Sequence, residues 1–136
     1  MRGILIIISL FLTMASTQAH TIITTKDLSD KQPVEVFDCR EKVYIYIVWD
    51  SLSAAEHEIE AYWFNPQGKQ QEFTSYKFNA PVKDTWLWLE LSGGGGSKFF
   101  KAINHRIGYE NFIGRWEVRI YLDADYLKTI NFSISC

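Results

Sequence analysis

With 136 residues and 47% hydrophobic content, the chain is large enough for one domain with a substantial core. Its formal net charge is −2 and its basic residues are scattered, with only Lys98, Lys101 and Arg106 near one another, so the electrostatic footprint of a nucleic-acid binder is absent.

Residues 1–19 read as an export signal. Arg2 gives a short positive start, Ile4 to Ala15 is an apolar run broken only by Ser9 and Thr13, and Thr17-Gln18-Ala19 is a small-x-Ala cleavage site. The run falls short of the roughly 20 apolar residues of a membrane span, and no later stretch is apolar enough to make one. The expectation is a signal peptide over 1–19, a single domain over 20–136, and a secreted or periplasmic location. Export bears on the only two cysteines, Cys39 and Cys136. In an oxidising compartment an even count predicts a disulfide, and two cysteines allow one pairing. The closed loop holds nearly the whole domain, for which chain-entropy reasoning gives about 4–5 kcal/mol.

In chain order, Thr21–Thr25 is a candidate first edge strand. After Pro33, Val34 and Val36 on one face and Phe37 and Cys39 on the other read as a short strand ending at the cysteine. Lys42–Trp49 is the strongest strand signal, with Val43, Ile45, Ile47 and Trp49 on one face and Tyr44, Tyr46 and Val48 on the other. His57–Phe64 alternates again, with His57, Ile59, Ala61 and Trp63 opposed to Glu58, Glu60, Tyr62 and Phe64. Asn65-Pro66-Gln67-Gly68 is a turn, with Pro at its second position and Gly at its fourth. Gln70–Phe78 is a more polar strand, expected near a sheet edge. Thr85–Leu91 sets Leu87, Leu89 and Leu91 against Trp86 and Trp88. Ser92-Gly-Gly-Gly-Gly-Ser97 is a permissive connection. A short helix is expected over 98–107, where Phe99, Phe100, Ile103 and Ile107 fall near one face. Gly114–Cys136 is a terminal hairpin turning at Asp123-Ala124-Asp125.

About seven strands joined by short turns predict an all-β, antiparallel sandwich. The pattern Gly114, Trp116, Val118, Ile120, an acidic turn, then Asn131, Phe132, Ser133, Ile134 resembles the last two strands of immunoglobulin-like or fibronectin-like modules of bacterial envelope and secreted proteins. His57–Gly68 is similar to a middle strand and turn of such modules. The resemblance implies an immunoglobulin-like sandwich and no activity.

The chemistry that these residues exclude is broad. His57-Glu58-Ile59-Glu60-Ala61 lacks the second histidine of a zinc-protease motif and has strand period. The glycine tract lacks the Lys-Ser/Thr that follows a phosphate loop. No G-x-S-x-G or C-x-x-C occurs. Glu58 and Glu60 read as a solvated strand face, and Asp123 and Asp125 as ordinary turn residues. The expectation is a non-enzymatic binding or accessory module. Its site is formed by the outward aromatics Trp86, Trp88, Tyr44 and Tyr62, with 92–112 as an adaptable flap, and its partner is a protein or a carbohydrate. The alternative is a periplasmic copper protein. Cleavage after Ala19 leaves His20 as an N-terminal residue that offers both amine and imidazole, with His57 or His105 as the further ligand. A third reading is an obligate subunit whose exposed sheet pairs with another chain.

Overall fold

A computed structural model of the chain describes residues 19–90 and 112–135. Most of the expected export signal, the expected helix over 98–107 and Cys136 lie outside them. Eight strands follow in order: β1 (Ala19–Thr25), β2 (Val36–Phe37), β3 (Lys42–Trp49), β4 (Glu56–Phe64), β5 (Gln70–Asn79), β6 (Asp84–Glu90), β7 (Gly114–Leu122) and β8 (Asp125–Ile134). They form two packed sheets, a three-stranded one in the order β1-β3-β6 and a five-stranded one in the order β2-β8-β7-β4-β5. This is the β-sandwich that the alternation predicts, with the strand count raised to eight. One pair, β2 with β8, is parallel, because the chain crosses from β1 in one sheet to β2 in the other before the hairpin strands are laid down.

The alternation decides which side chains enter the core. From the smaller sheet come Val43, Ile45, Ile47, Trp49, Leu87 and Leu89, all buried. From the larger sheet come Ile59, Ala61, Trp63, Trp116, Val118, Ile120, Phe132 and Ile134. Aromatic rings key the larger sheet together. Phe132 stacks on Trp116 at 6.0 Å and takes Phe37 and Trp63 edge-on at 5.6 and 6.0 Å. Full burial of rings this large is worth several kcal/mol each, so this cluster anchors the fold. The indole N–H of Trp116 is not orphaned, since it donates to the Phe112 carbonyl at 2.8 Å.

The turns follow their local chemistry. Asp123 and Ala124 both have positive φ, 50° and 68°, and Leu122 pairs with Asp125. Two residues with φ > 0 give the primed turn whose twist matches that of the flanking strands. At Asn65–Gly68, the Asn65 side-chain oxygen accepts from the Gln67 and Lys69 N–H groups, and the Gly68 N–H donates to the Asn65 carbonyl. Gly68 takes φ +80°, which a side chain would oppose. Among the described residues there is no free cysteine, and Cys39 is half-buried just beyond β2.

Candidate functional site

The two sheets are unequal, and the inequality creates a concave surface. β5 is an edge of the five-stranded sheet and β6 an edge of the three-stranded one. The two strands touch at one side of the sandwich. Tyr76 of β5 pairs with Ile59 of β4, so both side chains leave the sheet on its inner side. Ile59 is fully buried, whereas Tyr76 is 51% exposed, because no described strand of the smaller sheet lies over it. The result is a groove of about 950 Å³ between β5 and β6. Tyr76, Phe78, Val82, Trp86, Leu87 and Trp88 give it an apolar lining. Its floor is rigid. Phe78 stacks on Trp49 at 6.0 Å and on Tyr76 at 6.1 Å, and Thr74 accepts the Trp63 indole N–H at 3.0 Å.

Of the four aromatics expected to form a site, three share a face. Trp86 pairs with Tyr46 and Trp88 with Tyr44, so these rings stand on the outer face of the three-stranded sheet. Trp86 and Trp88 are exposed, at 43% and 47%, and Tyr44 is half-buried beside them. Tyr46 is buried although it faces outward. Its hydroxyl donates to Asp84, which raises its pKa, and the Lys31 ammonium lies 5.1 Å from its ring centre. Residues from the β1–β2 connection thus cover part of this face.

Tyr62 does not join the other three. It lies on the outer face of the five-stranded sheet, where it contacts Phe73 at 4.9 Å and Tyr121 at 5.4 Å and donates to Glu60 at 3.2 Å. Nearby, Arg119 sits 4.3 Å over the Phe64 ring and pairs with Glu117 at 3.0 Å. Outward alternation placed both groups correctly with respect to their own strands. It could not show that β4 and β6 belong to different sheets.

Sequence reasoning passed over Tyr76 and Phe73, because the polar character of β5 drew attention away from its aromatics. The signal in the sequence is Tyr76 and Phe78, two apart and so on one face, whereas Phe73 faces the other way beside Tyr62.

A second cluster lies at the far end of β4. His57 is buried, and each ring nitrogen faces an acceptor. Nδ1 is 2.6 Å from an Asp123 carboxylate oxygen and Nε2 is 2.8 Å from the Ser53 carbonyl. Both contacts are satisfied together only by the doubly protonated ring. The His57 pKa is raised accordingly, first by the Ser53 carbonyl and then by Asp123, with burial opposing. The ring is shielded by its neighbours but lies at the rim of the sandwich, so the desolvation penalty is the weaker influence. Asp123 also accepts the Glu58 N–H at 2.8 Å, and its own N–H donates to the Glu58 carbonyl at 2.8 Å. The hairpin turn is thereby clamped to β4.

The Ser53 hydroxyl is 3.5 Å from Nε2, so Ser53, His57 and Asp123 have the connectivity of a nucleophile, base and orienting acid. The geometry is that of a latch. The Ser53 carbonyl, closer than the hydroxyl, accepts a hydrogen bond from the Nε2–H, and a nitrogen that donates there has no lone pair for the hydroxyl.

The same commitment bears on copper. His57 presents no free ring nitrogen, the His20 side chain and His105 lie outside the described residues, and among those described no three His, Cys, Asp or Glu side chains gather into a metal site. No protein-family model matches the chain, and neither a curated protein nor a solved structure matches it.

Proposed function

We propose that the protein is an exported, non-enzymatic binding or accessory module that recognises a protein or carbohydrate partner at the open side of its sandwich. The observation that carries this reading is the groove between β5 and β6, flanked by the exposed rings of Trp86, Trp88 and Tyr76. Large exposed aromatics beside a preformed apolar concavity are the chemistry of an interface anchor.

The strand order supports an immunoglobulin-like form of the sandwich. β1, β3 and β6 correspond to strands A, B and E, and β4, β7 and β8 to C, F and G, with β5 as an added C′. A secreted or periplasmic location goes with the apolar N-terminal stretch and with a Cys39–Cys136 bridge. The register supports that bridge. Val36 pairs with Ser133 and Phe37 with Ile134, and the Ser135 N–H donates to the Phe37 carbonyl. In the sequence, Cys39 follows the end of β2 by two residues and Cys136 follows the end of β8 by two.

The test uses two-dimensional NMR of the folded chain with chito-oligosaccharide and with an extended peptide. Shifts of the Trp86 and Trp88 indole signals and of nearby backbone amides are expected with one of them, and in Trp86→Ala plus Trp88→Ala the amide shifts are expected to be lost at an unchanged melting temperature. A double variant that melts far below wild type makes these rings core residues and sinks the reading.

A further inference from the structure

The four sheet edges are not equally protected. β1 carries a register irregularity between Ala19 and Thr21. β2 is two residues long. β5 is mostly polar, carries Lys77 and is irregular between Trp63 and Phe64 of its partner strand. These are the usual devices that stop an edge from pairing with another chain. The centre of β6 has none of them. The strand pairs with β3 through seven consecutive positions without a shift, and Thr85-Trp86-Leu87-Trp88-Leu89 holds neither charge nor proline.

The ladder also shows which backbone groups face the open side. The Trp49 N–H donates to the Lys83 carbonyl at 3.0 Å, which marks that opposed pair as hydrogen-bonded. In an antiparallel ladder such pairs alternate. Thr85, Leu87 and Leu89 therefore bond to β3, while the N–H and C=O groups of Asp84, Trp86 and Trp88 point away from it. Among the described residues no strand pairs with them, and they point to the side above β5 where a fourth strand of the smaller sheet would stand. One strand added there lies over Tyr76 and brings the smaller sheet to four strands against five.

We infer that β6 is a docking edge for a single extended polypeptide segment of another protein, which pairs with the backbone of Asp84–Glu90 and covers Tyr76. This deepens the binding function proposed above and rests on it. Two observations define the segment. Both ends of β6 are acidic, Asp84 and Glu90, and its centre is uncharged. The complementary segment has alternating apolar residues in the middle and a basic residue at each end, in either orientation. It is also a lone strand. A second copy of this chain that offers its own β6 brings its own β5 to the same side, and the two overhanging β5 strands meet in one space.

The experiment is amide hydrogen exchange on the full chain, alone and with the peptide Lys-Val-Thr-Val-Thr-Val-Lys. In the free chain, the N–H groups of Asp84, Trp86 and Trp88 exchange faster than those of Thr85, Leu87 and Leu89. With peptide, they slow by about tenfold or more while their neighbours do not change. A peptide with Glu at both ends binds about tenfold more weakly, and one N-methylated at alternate residues does not bind. Trp86→Pro abolishes binding and spares the ladder to β3, whereas Trp86→Ala weakens it only a few-fold. Should Trp86→Pro fail to fold, the N-methylated peptide asks the same question from the other partner.

The inference is overturned if Asp84, Trp86 and Trp88 are as protected as their neighbours in the free chain, or if N-methylation leaves binding intact. Indole shifts with chito-oligosaccharide, without amide protection by peptide, overturn strand addition and leave the binding function standing. No response to either ligand removes both.

Discussion

Replacing Asp123 by Asn isolates the charge in the His57 latch. Asn tolerates the positive φ of 50° at this position, and its carbonyl still accepts the Glu58 N–H. Its amide faces His57 Nδ1 as a donor, so the ring remains neutral and keeps one proton on Nε2 for the Ser53 carbonyl. In the wild type the folded-state pKa lies above the ordinary 6.5. The stabilisation is therefore fully present below pH 6.5 and is lost as pH rises through the folded value. One proton is involved, so stability falls by no more than about 1.4 kcal/mol per pH unit within that window. A hydrogen bond between charged partners is worth about 1.5–3 kcal/mol. The Asp123 side chain is 43% exposed, so screening brings the expected loss in Asp123→Asn to about 1–2 kcal/mol at pH 6, shrinking at alkaline pH. Urea unfolding followed by tryptophan fluorescence from pH 5.5 to 8.5 measures this, and the difference between wild type and variant cancels titration of His20 and His105. An NMR titration of His57 gives its pKa directly. Ser53→Ala at pH 6 is the control, with an expected change within about 0.5 kcal/mol, since the backbone carbonyl holds Nε2. A difference that grows with pH, or a His57 that titrates at or below 6.5, refutes the latch.

Three further outcomes test the frame. Gly114 has φ +128°, and an added Cβ would meet Pro66 side-chain carbons at 3.2 and 3.3 Å, so Gly114→Ala is expected to cost about 1–3 kcal/mol in chemical denaturation. Trp116→Ala empties the space between Phe112 and Phe132 and is expected to cost about 3–5 kcal/mol, read as a lowered urea midpoint. Mass spectrometry of the chain purified without reductant is expected to show the two-hydrogen loss of a Cys39–Cys136 bridge, and the mass of a chain with two thiols would remove it.

The strands were legible because each is governed by its own residues. In Lys42–Trp49 and His57–Phe64 the period of two alone separates buried from outward side chains, and the structure buries Val43, Ile45, Ile47, Ile59, Ala61 and Trp63 as that period requires. The same local rule oriented Trp86 and Trp88. It failed for Tyr46, an outward ring buried by Asp84 and Lys31 from elsewhere in the chain. It also failed to separate Tyr62 from Trp88, because strand-to-sheet assignment is a long-range property. His57 and Asp123 are 66 positions apart and meet only because β4 pairs with β7, which brings the β7–β8 turn beside the start of β4.

The groove belongs to the same class of long-range fact. Ile59 and Tyr76 are register partners on one side of one sheet, yet one is sealed and the other half open. No pattern within Gln70–Asn79 distinguishes these outcomes. The difference arises from the number of strands opposite, three against five, and from where the shorter sheet stops. Among the described residues no strand covers the end of β5, and this leaves an aromatic inner face and the β6 edge side by side. The apolar lining and the outward-pointing backbone of β6 are thus one feature. A partner that satisfies only the rings leaves the edge unpaired, whereas an added strand satisfies both.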